Sequence, residues 1–190
     1  MESMFKGCQS LQTMNTTNWD LTYCSNFGGG FESCGASGLT LNASNWGLDN
    51  CTYLSSFANN SNIIFTGIEN WKLDKCTSMF NAQIYLTSDT DLSAWGTHLK
   101  EMTNIVWFVK SDTRINLTLK NWKFEKHCNL DGTFRYILID TLDIRGWDTT
   151  KITGNTINPF NYSNINTIKL DAGFFNTPAT NVYILSNLTT

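Results

Sequence analysis

Apolar and polar residues alternate over short stretches of this chain, as in Leu39-x-Leu41, Leu117-x-Leu119 and Leu142-x-Ile144. Period-two alternation over so few residues predicts short strands with one buried side. Each stretch lies a few residues before a tryptophan, and the tryptophans are themselves periodic. Trp19, Trp46, Trp71, Trp95, Trp122 and Trp147 are separated by 27, 25, 24, 27 and 25 residues. Six of the seven tryptophans therefore share one ladder with a period near 25.

The surroundings keep the same register. Two residues after each ladder tryptophan come Leu21, Leu48, Leu73, Thr97, Phe124 and Thr149, and five residues after come Cys24, Cys51, Cys76, Lys100, His127 and Ile152. About fourteen residues before it lies an aromatic: Phe5, Phe31, Phe57, Phe80, Trp107 and Phe134. Trp107, the seventh tryptophan, thus reads as an occupant of the aromatic position. Asn precedes the tryptophan at Asn18, Asn45, Asn70 and Asn121, where stacked amides are expected to bond one another and cap turns.

A unit of this size cannot bury its own aromatic ridge, but stacked copies can. The fold class expected is a β-rich repeat solenoid of six to seven coils. Each coil is leucine-rich-repeat-like: parallel short strands joined by turns and short helical return segments. The single domain spans 1–190, with repeats near 1–24, 25–51, 52–76, 77–102, 103–128 and 129–154. A degenerate closing repeat covers 155–190; it starts near Phe160, uses Phe174 or Phe175 in place of Trp, and closes on Val182-Tyr183-Ile184-Leu185.

The motif Met1-x-x-Met4-Phe5-x-Gly7-Cys8-x-x-Leu11, followed by Asn18-Trp19-Asp20 and Cys24, resembles the BspA-like leucine-rich repeats of bacterial surface proteins. It is most similar to the Trp-containing variety of roughly 25 residues, also seen in mycoplasma lipoproteins. The resemblance runs from Met1 to about Gly154 and continues loosely beyond. Ser78-Met79-Phe80 repeats the motif in part, and Gly132-Thr133-Phe134 keeps little beyond the aromatic, while Gln83 and Lys110 depart from the cysteine rule. The resemblance implies a curved parallel-strand solenoid with roles in adhesion, partner binding or surface display, and it carries no catalytic residues to transfer. Such repeats also occur in viral genomes, so the exterior of a virion joins the cell surface as an expected location.

Composition narrows the picture. The chain has 190 residues, 13 basic and 16 acidic, for a net charge of −3. That balance offers no broad cationic field for nucleic acid or an anionic membrane. Only 15% of residues are charged and 13% are aromatic, which excludes a disordered tail. No stretch before Cys8 resembles a signal-peptide core, and Phe5-Lys6-Gly7-Cys8 is only superficially a lipidation site. The apolar run Ile105–Val109 is far too short to span a bilayer, so no membrane insertion is expected. Sequons at Asn15, Asn42, Asn50, Asn59, Asn116, Asn161 and Asn187 are of the kind that Asn-, Ser- and Thr-rich chains produce by chance.

Candidate chemistry is sparse. Cys24, Cys51 and Cys76 would stack about 4.8 Å apart on neighbouring coils, too far for a comfortable disulfide, so they read as a buried thiol ladder. Cys8 and Cys34 match one another in the same way. His98, His127 and Cys128 lack a third clear metal ligand, and His127 reads as a replacement for the ladder cysteine. Asp140, Asp143 and Asp148 suit turns as well as they suit catalysis; no metal, no cofactor and no enzymatic activity are expected.

Recognition is expected on the exposed strand columns. Four residues before each tryptophan lie Asn15, Asn42, Gly67, Asp91, Thr118 and Asp143; two before lie Thr17, Ser44, Glu69, Ser93, Lys120 and Arg145. From these, Asn15, Asn42, Asp91, Thr118, Asp143, Lys120 and Arg145 are the binding residues the sequence nominates. The expected partner is a protein or a glycan. The competing expectation is a structural or decoration component of a larger assembly. Met1 enters a repeat motif without a polar cap, which predicts self-assembly or a capping partner at the N-terminal coil.

Overall fold

A computed structural model describes residues 1–36, 38–153 and 159–172. Phe174, Phe175, Val182–Leu185 and Asn187 lie outside the described residues.

The chain is a parallel β-solenoid of about five turns. Its main sheet uses β1 (Thr40–Asn42), β2 (Ile64–Thr66), β3 (Ile84–Tyr85), β4 (Thr90–Asp91) and β5 (Val109–Thr118). After β6 (Cys128–Asn129) it continues through β7 (Ile137–Asp143) and, past β8 (Ile152–Thr153), β9 (Asn164–Lys169). All pairings are parallel, in the order β1-β2-β3-β5-β7-β9, with β4 beside β5. A second ladder of single bridges joins Asn26, Tyr53, Ser78, Asn104 and Asn129, and β6 pairs β8 on that side. The first coil contributes no strand among the described residues, but its Trp19 stacks on Trp46. The helical pieces are short 3-10 segments: Ile68–Asn70 precedes Trp71, Ser93–Thr97 contains Trp95 and Thr149–Lys151 follows Trp147.

The tryptophan ladder is the core's spine. Successive ring centroids are 5.5, 6.0, 5.9, 6.1 and 5.6 Å apart from Trp19 to Trp147, with interplanar angles of 2–19°. Trp71, Trp95 and Trp122 are fully buried, and the terminal Trp19 and Trp147 are half-buried. Offset stacking of this kind contributes roughly 0.5–1.5 kcal/mol per pair beyond area burial. From Trp71 onward the ladder indole N–H groups also reach back one coil: Trp71 donates to the Ala43 carbonyl at 3.1 Å, and Trp95 and Trp122 to Ile68 and Leu92 at 2.9 Å. Trp147 donates to Leu119. In every case the acceptor lies three residues before the preceding tryptophan.

The second aromatic column departs from the sequence expectation. Phe31, Phe57 and Phe134 are buried as predicted, but Phe80 is 46% exposed and Trp107 lies half out of the core. Met79, Ala82 and Phe108 fill the space inside. The cause is where each coil is long. Phe31 and Phe134 follow their bridge residues, Asn26 and Asn129, by five positions, whereas Phe80 follows Ser78 by two. Counting back from Trp places Phe80 and Trp107 on the rung only because coils four and five carry extra residues on the strand side.

The cysteine column is a ladder of thiols. Cys24 and Cys51 Sγ donate to the carbonyls of Asn26 and Tyr53 at 3.3 Å, and Cys76 Sγ to Ser78 at 3.6 Å. All six cysteines are free. Burial pushes the Cys51 thiol up to about 11 and the Cys76 thiol to about 12, with the neighbouring cysteine adding to each. Lys100 and His127 do not replace them, for both are exposed; Met102 and Cys128 turn inward instead. The asparagines before Trp form no amide ladder: Asn45 reaches the Thr17 carbonyl at 3.3 Å and Asn70 touches only its neighbour Glu69. Side-chain capping falls on the bridge column, where Asn26, Ser78, Asn104 and Asn129 each accept the main-chain N–H two residues on.

Corners impose the second constraint. Ser3, Gly29, Ser56, Asn81, Trp107 and Gly132, one per coil, all have φ between 53 and 62°. Gly67, with φ of 80°, sits against the preceding coil so closely that a Cβ there would lie 2.6 Å from Ser44 Cα. Gly67→Ala is expected to cost about 1–3 kcal/mol, seen as a lower urea midpoint at unchanged slope; an unchanged midpoint contradicts this corner geometry. The thiol ladder predicts that Cys8, the exposed cysteine, reacts promptly with a thiol reagent in the native protein. The other five react only on unfolding, and all six then titrate without prior reduction.

Candidate functional site

The sequence-nominated residues divide into two groups; Asn15 lies on the strandless first coil, and Asp143, expected to be exposed, is buried at 5% exposure because it is clasped by Arg145. Asn15 and Asn42 belong to the first two coils, while Asp91, Thr118 and Asp143 stand in register on β4, β5 and β7. Lys169 of β9 extends that column. Asn42 pairs with Thr66 rather than with Gly67, which lies at the corner facing Ser44.

Most of these side chains are engaged by their own turns. Oδ1 of Asn15, Asn42, Asp91 and Asp143 accepts the N–H of Thr17, Ser44, Ser93 and Arg145 at 3.1, 3.0, 2.8 and 3.3 Å. An Asx turn ends each strand and aims the chain at the tryptophan corner. Asp143 also binds the Arg145 guanidinium, at 2.9 Å from Nε and 2.6 Å from Nη2, with Lys120 Nζ 3.9 Å away. The Arg145 hydrogen bonds hold the Asp143 carboxyl below its usual range despite burial. Lys120, Asp143 and Arg145 thus form one charged cluster, and Thr118 lies beside it, paired with Asp143.

A feature the sequence reading missed dominates the main sheet's outer face. The tryptophan follows the first strand residue by seven positions in coil three (Ile64 to Trp71), eleven in coil four (Ile84 to Trp95) and thirteen in coil five (Val109 to Trp122). The extra residues include two exposed runs on neighbouring coils, Thr87–Asp89 and Asp112–Arg114, which form a ridge on the face. Pairing of β5 with β7 is irregular between Ser111 and Asn116. Asp89 fastens the two layers, accepting Asn116 N–H at 2.8 Å and its Nδ2 at 2.9 Å, which lowers the Asp89 carboxyl below its usual range. Lys110 reaches back two coils to Asn62 Oδ1 at 3.0 Å with its ammonium 5.3 Å from the Tyr85 ring centre. Arg114 reaches forward to the Ile139 carbonyl at 3.2 Å and Asn164 Oδ1 at 2.8 Å.

Beside the ridge lies a groove of about 370 Å³. One wall is Ile64–Glu69 of coil three and the other Tyr85–Asp91 of coil four. Phe65, Ile68 and Leu86 are buried beneath it, and Thr66, Glu69, Thr87, Ser88, Asp89 and Asp91 are exposed at its rim. The length of the strand-side segment was the available signal. It was masked because coil four is correspondingly short elsewhere and keeps a 24-residue period.

The turn side of the later coils carries a second surface feature. The Arg135 guanidinium carbon lies 4.4, 4.7 and 5.1 Å from the ring centres of Trp107, Tyr136 and Tyr162. Tyr136 and Tyr162 stack at 5.4 Å and are 61% and 64% exposed. Elsewhere His98 Nδ1 lies 2.9 Å from Asp74 Oδ2. Among the described residues no group of three or more His, Cys, Asp and Glu is placed to hold a metal ion, and no helix is long and apolar enough to cross a membrane.

No curated protein and no solved structure matches the chain. One family model matches it twice, over residues 1–71 and 52–172. The overlap at 52–71 is what a repeat produces when a model can begin on more than one coil. With nearly its whole length matched, the chain belongs to the family described as "Mycoplasma protein of unknown function, DUF285".

Proposed function

We propose that this repeat solenoid is a non-enzymatic recognition module that binds a protein or glycan partner through its strand face, in surface adhesion or display. The observation that supports the reading is the contrast between the two sides of each strand. Inward positions repeat from coil to coil as Trp, Leu, Phe and Cys, whereas outward positions vary along the sheet and are shaped by the ridge and its groove. A uniform face would have needed neither the extra residues of coils four and five nor the cross-coil contacts of Lys110 and Arg114. Binding then comes from shape and hydrogen-bond complementarity over an extended surface, with no cofactor.

The test is a binding survey of the whole chain against arrayed glycans, surface proteins and itself. It includes a face variant (Asn42→Arg, Thr66→Arg, Thr118→Arg) and a variant beyond the tryptophan corner (Lys72→Glu, Lys123→Glu). A ligand retained by the wild type is expected to lose at least tenfold in affinity in the face variant and to be unaffected in the other. The opposite pattern overturns the strand-face assignment. Absence of any ligand, together with a native mass that grows with concentration, assigns the chain to an assembly instead.

A further inference from the structure

We propose that the groove between coils three and four takes an extended, basic polypeptide segment, which adds to the sheet there as a strand. This deepens the strand-face reading and rests on it.

The sheet is interrupted at this place. β4 pairs β5 and has no strand neighbour on its coil-three side, and Ile64↔Tyr85 is the last pair that β2 makes with coil four. Main-chain bonding sides alternate along a strand. Leu92 N–H donates to the Thr118 carbonyl of coil five, so the main chain of Asp91 faces the groove. Ile64 N–H and the Thr66 carbonyl are spent on coil two and the Ile64↔Tyr85 pairing takes the Phe65 N–H, so the Phe65 carbonyl alone faces it from the other wall. The groove therefore offers the Asp91 edge on one wall and the Phe65 carbonyl on the other, and an open edge of this kind templates an added strand. Beneath it the solenoid remains closed, because Trp71 and Trp95 stack at 5.9 Å and 8°. The opening belongs to the face alone and does not lead into the core.

Charge selects the occupant. Glu69, Asp89 and Asp91 line the rim, no Lys, Arg or His lines it, and none of the three carboxylates forms an ion pair among the described residues. An added strand would turn alternate side chains outward to these carboxylates and the others down onto Phe65, Ile68 and Leu86. A neutral sugar finds less here. The aromatic ring at the rim, Tyr85, has the Lys110 ammonium over it, and Asp89 already spends both oxygens on Asn116.

Fluorescence anisotropy with a labelled Lys-Val-Lys-Val-Lys peptide and the full chain tests the proposal. The peptide is expected to bind, to lose at least tenfold when alternate amides are N-methylated, and to lose at least tenfold with Glu69→Gln/Asp91→Asn. Asn at 91 still accepts the Ser93 N–H, so that variant keeps its turn; an unchanged thermal midpoint verifies its fold. Ser88→Phe, which fills the groove from its exposed rim, is expected to abolish binding. Equal binding of the N-methylated peptide, equal binding of a Glu-Val-Glu-Val-Glu peptide, or displacement by a neutral hexasaccharide overturns the proposal. No binding of the basic peptide also overturns it. The strand-face reading stands or falls separately, on the face variant's effect on the ligand found in the broader survey.

Discussion

Every coil of this solenoid must deliver an indole to the same corner and, three residues earlier, a carbonyl for the indole of the next coil. Ala43, Ile68, Leu92 and Leu119 supply those carbonyls. The requirement couples neighbouring coils in both directions: the ring needs its stacking partner, and its N–H needs an acceptor that only a correctly registered coil provides. A buried N–H without one costs about 1–3 kcal/mol. Trp46 carries that cost, since its buried Nε1 has no acceptor; the first coil below it is the one without a strand.

Because the tryptophan corner is fixed in space, differences in coil length are displaced elsewhere. The turns absorb little, since each coil closes through a left-handed residue stacked on its neighbour's. A Cβ on Gly132 would meet Trp107 Nε1 at 2.5 Å, so Gly132 lets the indole lie against it, and Arg135 covers the ring. A tryptophan at φ of 54° is an unusual occupant of such a corner. The strand side is what remains free, and there coils four and five bulge outward while coil three stays short. Ridge and groove are thus consequences of holding the core ladder constant.

This explains what could be read from the sequence. Trp and Cys columns were legible because a large ring or a small thiol at fixed register has one economical place, the interior. The parallel solenoid follows from them. Phe80 and Trp107 were misassigned because residues were counted from the tryptophan, and the inserted strand-side residues shifted that count. Adjacency alone does not reveal that Asn15, Asn42, Asp91 and Asp143 each close their own turn, nor that Arg145 draws Asp143 into burial. The groove and the Arg135 cluster join residues of different coils, Ile64–Glu69 with Tyr85–Asp91 and Trp107 with Tyr162. A reading of columns one repeat at a time does not bring these together.

Hydrogen exchange at the seven indole N–H groups, followed by nitrogen-correlated NMR, tests the ladder most directly. The account predicts that Trp71, Trp95 and Trp122 exchange only on global unfolding, with Trp107 exchanging rapidly from the surface. Exchange of Trp71, Trp95 and Trp122 as fast as that of Trp107 would contradict it.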